Sequence, residues 1–426
     1  MPAARRPPRQ PATRADAQVE LIVDAFRSAD PPITIVAARF REGGKEGEVD
    51  YLYEENTILV RTGDADRVAD LLLRRTPDRR RPDLTVPSGV NGVVRLTLEG
   101  TRFNNDVPGA LDVIDAELGV GAATPHHVLS ITPVTNCPAT EPEEVDPDAI
   151  PDPGVCPAGG NGAGVLLHVL DTGLVDGAAQ DHTWLGGVTG DPDPVAGGVI
   201  PTYTGHGTFI AGVARCMAPA TEVFVRAAFN RAGATLELDF VKEVETALSA
   251  GADVISLSAG TSSRLDVPLL AFEAFWKARF LYHKGVVLVA AAGNNSDRRP
   301  FWPAAFQQVV SVGALSASWR NRAFFSDFGG WVDVYAPGEA LVNAFATGDF
   351  TCKEPPHINQ VRHFEGMARW SGTSFSTPLV AGLIAGRMSS AGENGRRAAK
   401  ALLAKARAQR LPSVGPVLLP CLDDSR

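Results

Sequence analysis

Gly372-Thr373-Ser374-Phe375-Ser376-Thr377-Pro378 is the stretch on which the reading of this chain turns. It sets a serine among small residues and opens a small-residue apolar helix predicted over residues 377–387. A serine hydroxyl is a poor nucleophile at neutral pH and needs an adjacent base. Two upstream stretches offer partners. Asp171-Thr172-Gly173 ends the apolar run 165–170, which reads as a buried strand. Gly205-His206-Gly207 precedes the helical pattern of residues 208–214. Each motif alone is commonplace, since an Asp-Thr-Gly often marks only a strand-end turn. Together they place Asp, His and Ser at element ends, where side chains can converge on one cleft.

A fourth stretch fits the same scheme. Residues 286–292 read as a strand, ended by Gly293-Asn294. Alone, Asn294 reads as a turn residue; after an Asp and a His, and before the Ser, it gains a second reading. With these four stretches in this order the chain resembles the subtilisin-like serine proteases over about residues 163–410. The order Asp, His, Ser is the subtilisin order of the triad. The resemblance implies a three-layer α/β fold with a mostly parallel sheet. It implies peptide-bond hydrolysis with Ser374 as nucleophile, His206 as base and Asp171 orienting the imidazole. The oxyanion donors would be the Ser374 amide and the Asn294 side chain. The segment 253–260 resembles the family's substrate-pairing strand. Ser258, Ala259 and Gly260 would then form one wall of the pocket for the residue before the scissile bond. Ala291, Ala292 and Gly293 would form the other, and Phe301 would make that pocket shallow.

The chain also departs from the family pattern. The helix after His206 runs into Pro219-Ala220-Thr221 with no calcium-binding insertion and no cluster of oxygen ligands. The usual Met-Ala after the nucleophile is Phe375-Ser376. Residues 338–370 are longer than in compact members and contain Cys352, His357 and His363. Their irregular spacing lacks four clear ligands, so this stretch reads as a surface loop rather than a metal centre. The acidic loop 191–193 is a weaker cation candidate. No metal or other cofactor is expected.

The 426 residues suit two domains. Residues 1–18 read as a disordered tail, 19–135 as an N-terminal α/β domain, 136–162 as a Pro- and acid-rich linker and 163–426 as the peptidase domain. Within 19–135, strands are predicted at 56–61, 92–98 and 127–131 and helices at 65–74 and 110–118. That order allows a split βαβ, ferredoxin-like sandwich. It loosely resembles the inhibitory prodomains of subtilases; a docking domain for a partner is the competing reading. His126 and His127 read as structural. The partner expected from the resemblance is a protein or peptide substrate. The net charge of −9 argues against generic nucleic-acid binding. No run approaches the ~18 apolar residues that span a bilayer, so no membrane partner is expected. No signal peptide is visible, which points to the cytoplasm, with secretion the alternative if the native start lies elsewhere. Cys137 and Cys156 would form a loop disulfide in an oxidising compartment and remain thiols otherwise. The alternative to an enzyme is a non-catalytic binding module on the same fold; the four intact motif residues favour the enzyme.

Overall fold

The computed structural model describes residues 14–40, 47–74, 85–131, 140–146, 148–156 and 161–420. The chain opens with α1 (Arg14–Arg27), β1 (Ile35–Arg39) and the long β2 (Val49–Arg61). Then come α2 (Ala65–Arg74), β3 (Thr85–Pro87), β4 (Val93–Thr97), α3 (Val107–Leu118) and β5 (Ala123–Ser130). The helices form where apolar residues recur at helical spacing: Val107, Ala110, Leu111 and Ile114 are all buried on α3. Asp106 caps that helix by accepting the Gly109 N–H at 3.0 Å. The strands run in the order β5-β2-β4-β3, all antiparallel, with β1 on the first half of β2. From β2 onward this is a β-α-β-β-α-β unit. The core beneath α2 and α3 is separate from the one that α1 covers through Val19, Ile22 and Phe26. Residues 14–18, read from the sequence as tail, are therefore the first turns of a helix whose apolar side is buried.

The second part begins with β6 (Leu166–Asp171), α4 (Ala178–Asp181), β7 (Thr189–Gly190), β8 (Val199–Ile200) and α5 (His206–Met217). It continues with β9 (Glu222–Ala227), β10 (Ala234–Leu236), α6 (Glu237–Ser249), β11 (Val254–Leu257), α7 (Leu270–Ala278) and β12 (Val287–Ala291). It ends with β13 (Val310–Leu315), β14 (Val334–Pro337), β15 (Leu341–Thr351), β16 (Val361–Trp370), α8 (Thr373–Ala391) and α9 (Gly395–Ala408). Seven parallel strands lie in the order β14-β13-β12-β11-β6-β9-β7. Both faces are covered. On β12, Val287 and Val289 face the core of α5 and α8, while Leu288 and Ala290 face that of α6 and α7. Burial on both faces explains why these strands read as unbroken apolar runs. The chain leaves β6 for β9 on one side and reaches β11 on the other. The carboxyl end of β6 is thus a topological switch point, where open α/β sheets carry their sites.

Two sequence expectations need correction here. Residues 338–370 are not a surface loop but mostly the antiparallel ribbon of β15 and β16. Alternating burial along β16 pins it to the core, and Cys352 is buried in the same core. His363 is exposed and pairs with Asp349 at 2.7 Å. Likewise, much of the expected linker is ordered against that ribbon. Glu143 and Arg369 exchange two main-chain hydrogen bonds, as do Asp152 and Val342, all at 2.9 Å. Cys216 and Cys352 are free thiols, and burial pushes each up to about 11. Cys156 is disulfide-bonded, while Cys137 lies outside the described residues. Among the described residues no helix is long and apolar enough to cross a membrane, and no three His, Cys, Asp or Glu side chains converge as a metal ion requires.

Candidate active site

Asp171 is the last residue of β6, His206 the first of α5, and Ser374 the second of α8. All three are buried at the carboxyl edge of the sheet. The His206 Nδ1 and Asp171 Oδ1 are 2.7 Å apart. That pairing leaves Nε2 as the imidazole nitrogen that can exchange protons. The ring is held by aromatic contacts with Trp370 and Phe375, at centroid separations of 5.1 and 5.3 Å. His206 and Ser374 line one cavity. The Ser374 hydroxyl donates to the Ser258 carbonyl at 3.4 Å, and the Ser258 hydroxyl donates to the Ser374 carbonyl at 2.7 Å.

Asn294 follows β12 and faces the start of α8. Its Oδ1 accepts from the Thr373 amide at 2.8 Å and the Thr373 hydroxyl at 2.9 Å. With both acceptor positions used, the amide NH₂ is the end left for a further partner. Next to it, the Ser374 N–H lies in the first turn of α8, where backbone donors have no intrahelical partner and the dipole favours negative charge. Asp327 fixes this loop by accepting from the Asn295 and Asp297 amides at 2.8 and 2.9 Å.

Gly260 and Gly293, one from each wall expected from the sequence, both lie against Phe301, which is 3% exposed. A Cβ on Gly260 would stand within 3 Å of this ring, and one on Gly293 would stand 3.0 Å from it. Both positions must be glycine while the ring is there. Phe301 thus sits between the two strand ends, and Ser258, Ala259, Ala291 and Ala292 are themselves buried.

The sequence reading missed Asp193. It is 5% exposed and accepts from the Thr172 hydroxyl at 2.8 Å, the Thr204 hydroxyl at 2.9 Å and the Gly205 amide at 2.8 Å. Thr172 in turn accepts from the Gly207 amide at 3.1 Å. This carboxylate ties the loop after Asp171 to the loop before His206. Burial pushes its carboxyl above the usual carboxylate range, against the pull of those three hydrogen bonds. Its only trace in the sequence is an acid in an Asp-Pro-Asp-Pro loop. Its neighbour Asp191 accepts from the Ala227 amide at 3.0 Å. The acidic loop considered for a cation is therefore engaged by the protein's own donors.

The subtilase family model matches residues 162–414. The chain is 32% identical over 241 residues to a thermophilic serine proteinase of Bacillus sp. (strain AK1), covering 52% of this chain and 52% of that protein. It thus spans about half the length of that relative. It is 29% identical over 245 residues to thermitase of Thermoactinomyces vulgaris, covering 55% of this chain and 77% of thermitase. In fold it is similar to fervidolysin from Fervidobacterium pennivorans, a keratinolytic enzyme related to subtilisin. The TM-score is 0.53 at 21% identity, over 86% of this chain and 60% of that one. With the family model spanning more than half of its length, the chain belongs to the subtilase family.

Proposed function

We propose that this chain is a serine endopeptidase that cleaves peptide bonds with Asp171, His206 and Ser374. The observation that carries this is the buried 2.7 Å Asp171–His206 pair opening on the cavity that Ser374 also lines. In this reading His206 Nε2 takes the Ser374 proton as the hydroxyl attacks the carbonyl, then gives it to the leaving amine. Asp171 holds the tautomer and stabilises the imidazolium. The Asn294 NH₂ and the Ser374 amide receive the oxyanion. The test is turnover of an unfolded protein by the wild type against Ser374→Ala. Hydrolysis by the first alone supports the reading; binding without hydrolysis by both supports the binding-module alternative.

The position of Phe301 supports a preference for small residues before the scissile bond. One methylene too many for a closed apolar pocket already costs about 10–200-fold. A peptide library should show Ala or Ser preferred to Phe and Tyr by that order, and Phe301→Ala should narrow the gap. An aromatic preference in the parent enzyme would rule this out.

We also infer that the N-terminal domain is an intramolecular inhibitor. Ser130 and Gly260 exchange two hydrogen bonds at 3.0 Å, and the Ile131 amide donates to Gly233 O at 2.9 Å. The end of β5 thus lies on the edge beyond β11, where an extended substrate would add as a strand. Cutting is expected between Ile131 and Thr140. Intact mass should show the wild type shortened there and Ser374→Ala full length. A wild type that stays intact would favour the partner-docking reading.

A further inference from the structure

The residues just beyond that junction are not part of the N-terminal domain. Thr140, Glu141 and Pro142 line the cavity that holds His206 and Ser374. Their side of the cleft can be assigned by chemistry. The imidazole must face the leaving amine to protonate it. His206 lies edge-on against Trp370, and the Trp370 indole N–H donates to the Thr140 carbonyl. Thr140 therefore stands on the leaving-group side, while Ser130 and Ile131 hold the acyl side at Gly260 and Gly233. The remaining cavity is about 30 Å³, room for about one water molecule. The leaving-group side is filled.

The attachment is specific. Glu143 pairs with Arg369 on β16 and Asp152 with Val342 on β15, so the segment clasps both edges of the ribbon. The Glu141 carboxylate accepts from the Lys353 and Glu354 amides at 2.6 and 3.3 Å. The Glu144 carboxylate accepts from the His363 amide at 2.6 Å, and Arg362 donates to the Pro142 carbonyl at 2.6 Å. Every one of these partners belongs to the catalytic part. The N-terminal domain reaches the same cavity through Leu21 and Ile131, and Gln18 of α1 donates to Glu354 at 2.7 Å. A cut between Ile131 and Thr140 would sever that domain from the clasped segment, leaving the domain held by β5–β10 pairing and ion pairs such as Arg299–Asp50.

Resting on the peptidase reading above, we propose that residues 140–144 are a resident strap on the leaving-group side that selects substrates by the length of their leaving group. Substrates with a short leaving group pass beneath it. Those with several ordered residues beyond the scissile bond compete with the strap and are disfavoured. Removal of the N-terminal domain takes Leu21 and Ile131 out of the cavity lining and leaves the strap in place.

The test compares two substrates sharing the same four acyl-side residues. One is a p-nitroanilide, with no residue beyond the scissile bond; the other is a quenched peptide with four further residues. Glu144→Ala/Arg362→Ala removes strap contacts outside the cavity that holds His206 and Ser374. The double variant should raise kcat/KM for the long peptide about tenfold or more, and change that for the anilide by less than about twofold. Equal changes on both substrates, or no gain on the long peptide, would overturn the strap. Turnover of neither substrate by the wild type would instead overturn the peptidase reading, and the strap with it. Amide exchange in the unaltered chain tests the strap without any variant. The Glu143 and Arg369 amides should be protected like sheet amides after processing, and exchange at free-chain rates would refute it.

Discussion

Ser374→Ala is expected to lower kcat by about 10⁶, a magnitude taken from subtilisin itself. His206→Ala should cost a similar factor, and the double variant little more than either alone. The reason is that proton transfer and attack are one event: without the hydroxyl there is nothing for the imidazole to deprotonate, and without the imidazole the hydroxyl keeps its proton. The 2.7 Å Asp171–His206 bond makes Asp171 part of the same unit. Steady-state kinetics on one peptide check this, and additive losses in the double variant would break the assignment. Asn294 acts at a different point. Its Oδ1 is committed to Thr373, so Asn294→Ala removes a pre-aimed donor and also frees the start of α8. The expected loss is about 10²–10³ in kcat, again the subtilisin value, with little change in KM. A loss confined to KM would rule out the oxyanion role.

The second large effect is on stability. Asp193→Ala would strand the Thr172 and Thr204 hydroxyls and the Gly205 amide in a buried site. Each orphaned donor costs about 1–3 kcal/mol, so a loss of about 3 kcal/mol is the lower expectation. For a domain of this size that corresponds to a fall in Tm of about 6–12 °C. Because Asp193 joins the loops that carry Asp171 and His206, activity should fall at temperatures where the variant is still folded. Asp193→Asn keeps one acceptor oxygen and should be milder on both counts. Unchanged melting for Asp193→Ala would show that the network relaxes without it.

These expectations differ in how far the sequence foretold them. The strand ends at Asp171 and Asn294 were legible because parallel strands buried on both faces appear as continuous apolar runs with an abrupt polar stop. The helices after His206 and Ser374 were legible from small residues leading into apolar periodicity, although they start at His206 and Thr373 rather than at 208 and 377. In the N-terminal domain, the helix over residues 65–74 was legible because Val68, Leu71 and Leu72 repeat at helical spacing. Asp193 was not legible: its partners lie 11, 12 and 21 residues away and meet it only in three dimensions. The clasp of residues 140–152 on the ribbon was hidden for a different reason. Its pairings through Glu143 and Asp152 are main-chain bonds, which leave no side-chain signature, and a Pro- and acid-rich composition reads as linker. The ribbon itself was missed because charged residues on the outward side of β16 mask the alternation of Arg362, Phe364, Gly366 and Ala368 towards the interior.

The central claim is that Ser374 is an activated nucleophile. A fluorophosphonate reacts with such a serine and not with an ordinary hydroxyl. The account predicts a stoichiometric adduct on the tryptic peptide 370–387, located at Ser374 and absent from Ser374→Ala and His206→Ala. An adduct on another residue, or none in a processed wild-type protein, would contradict it.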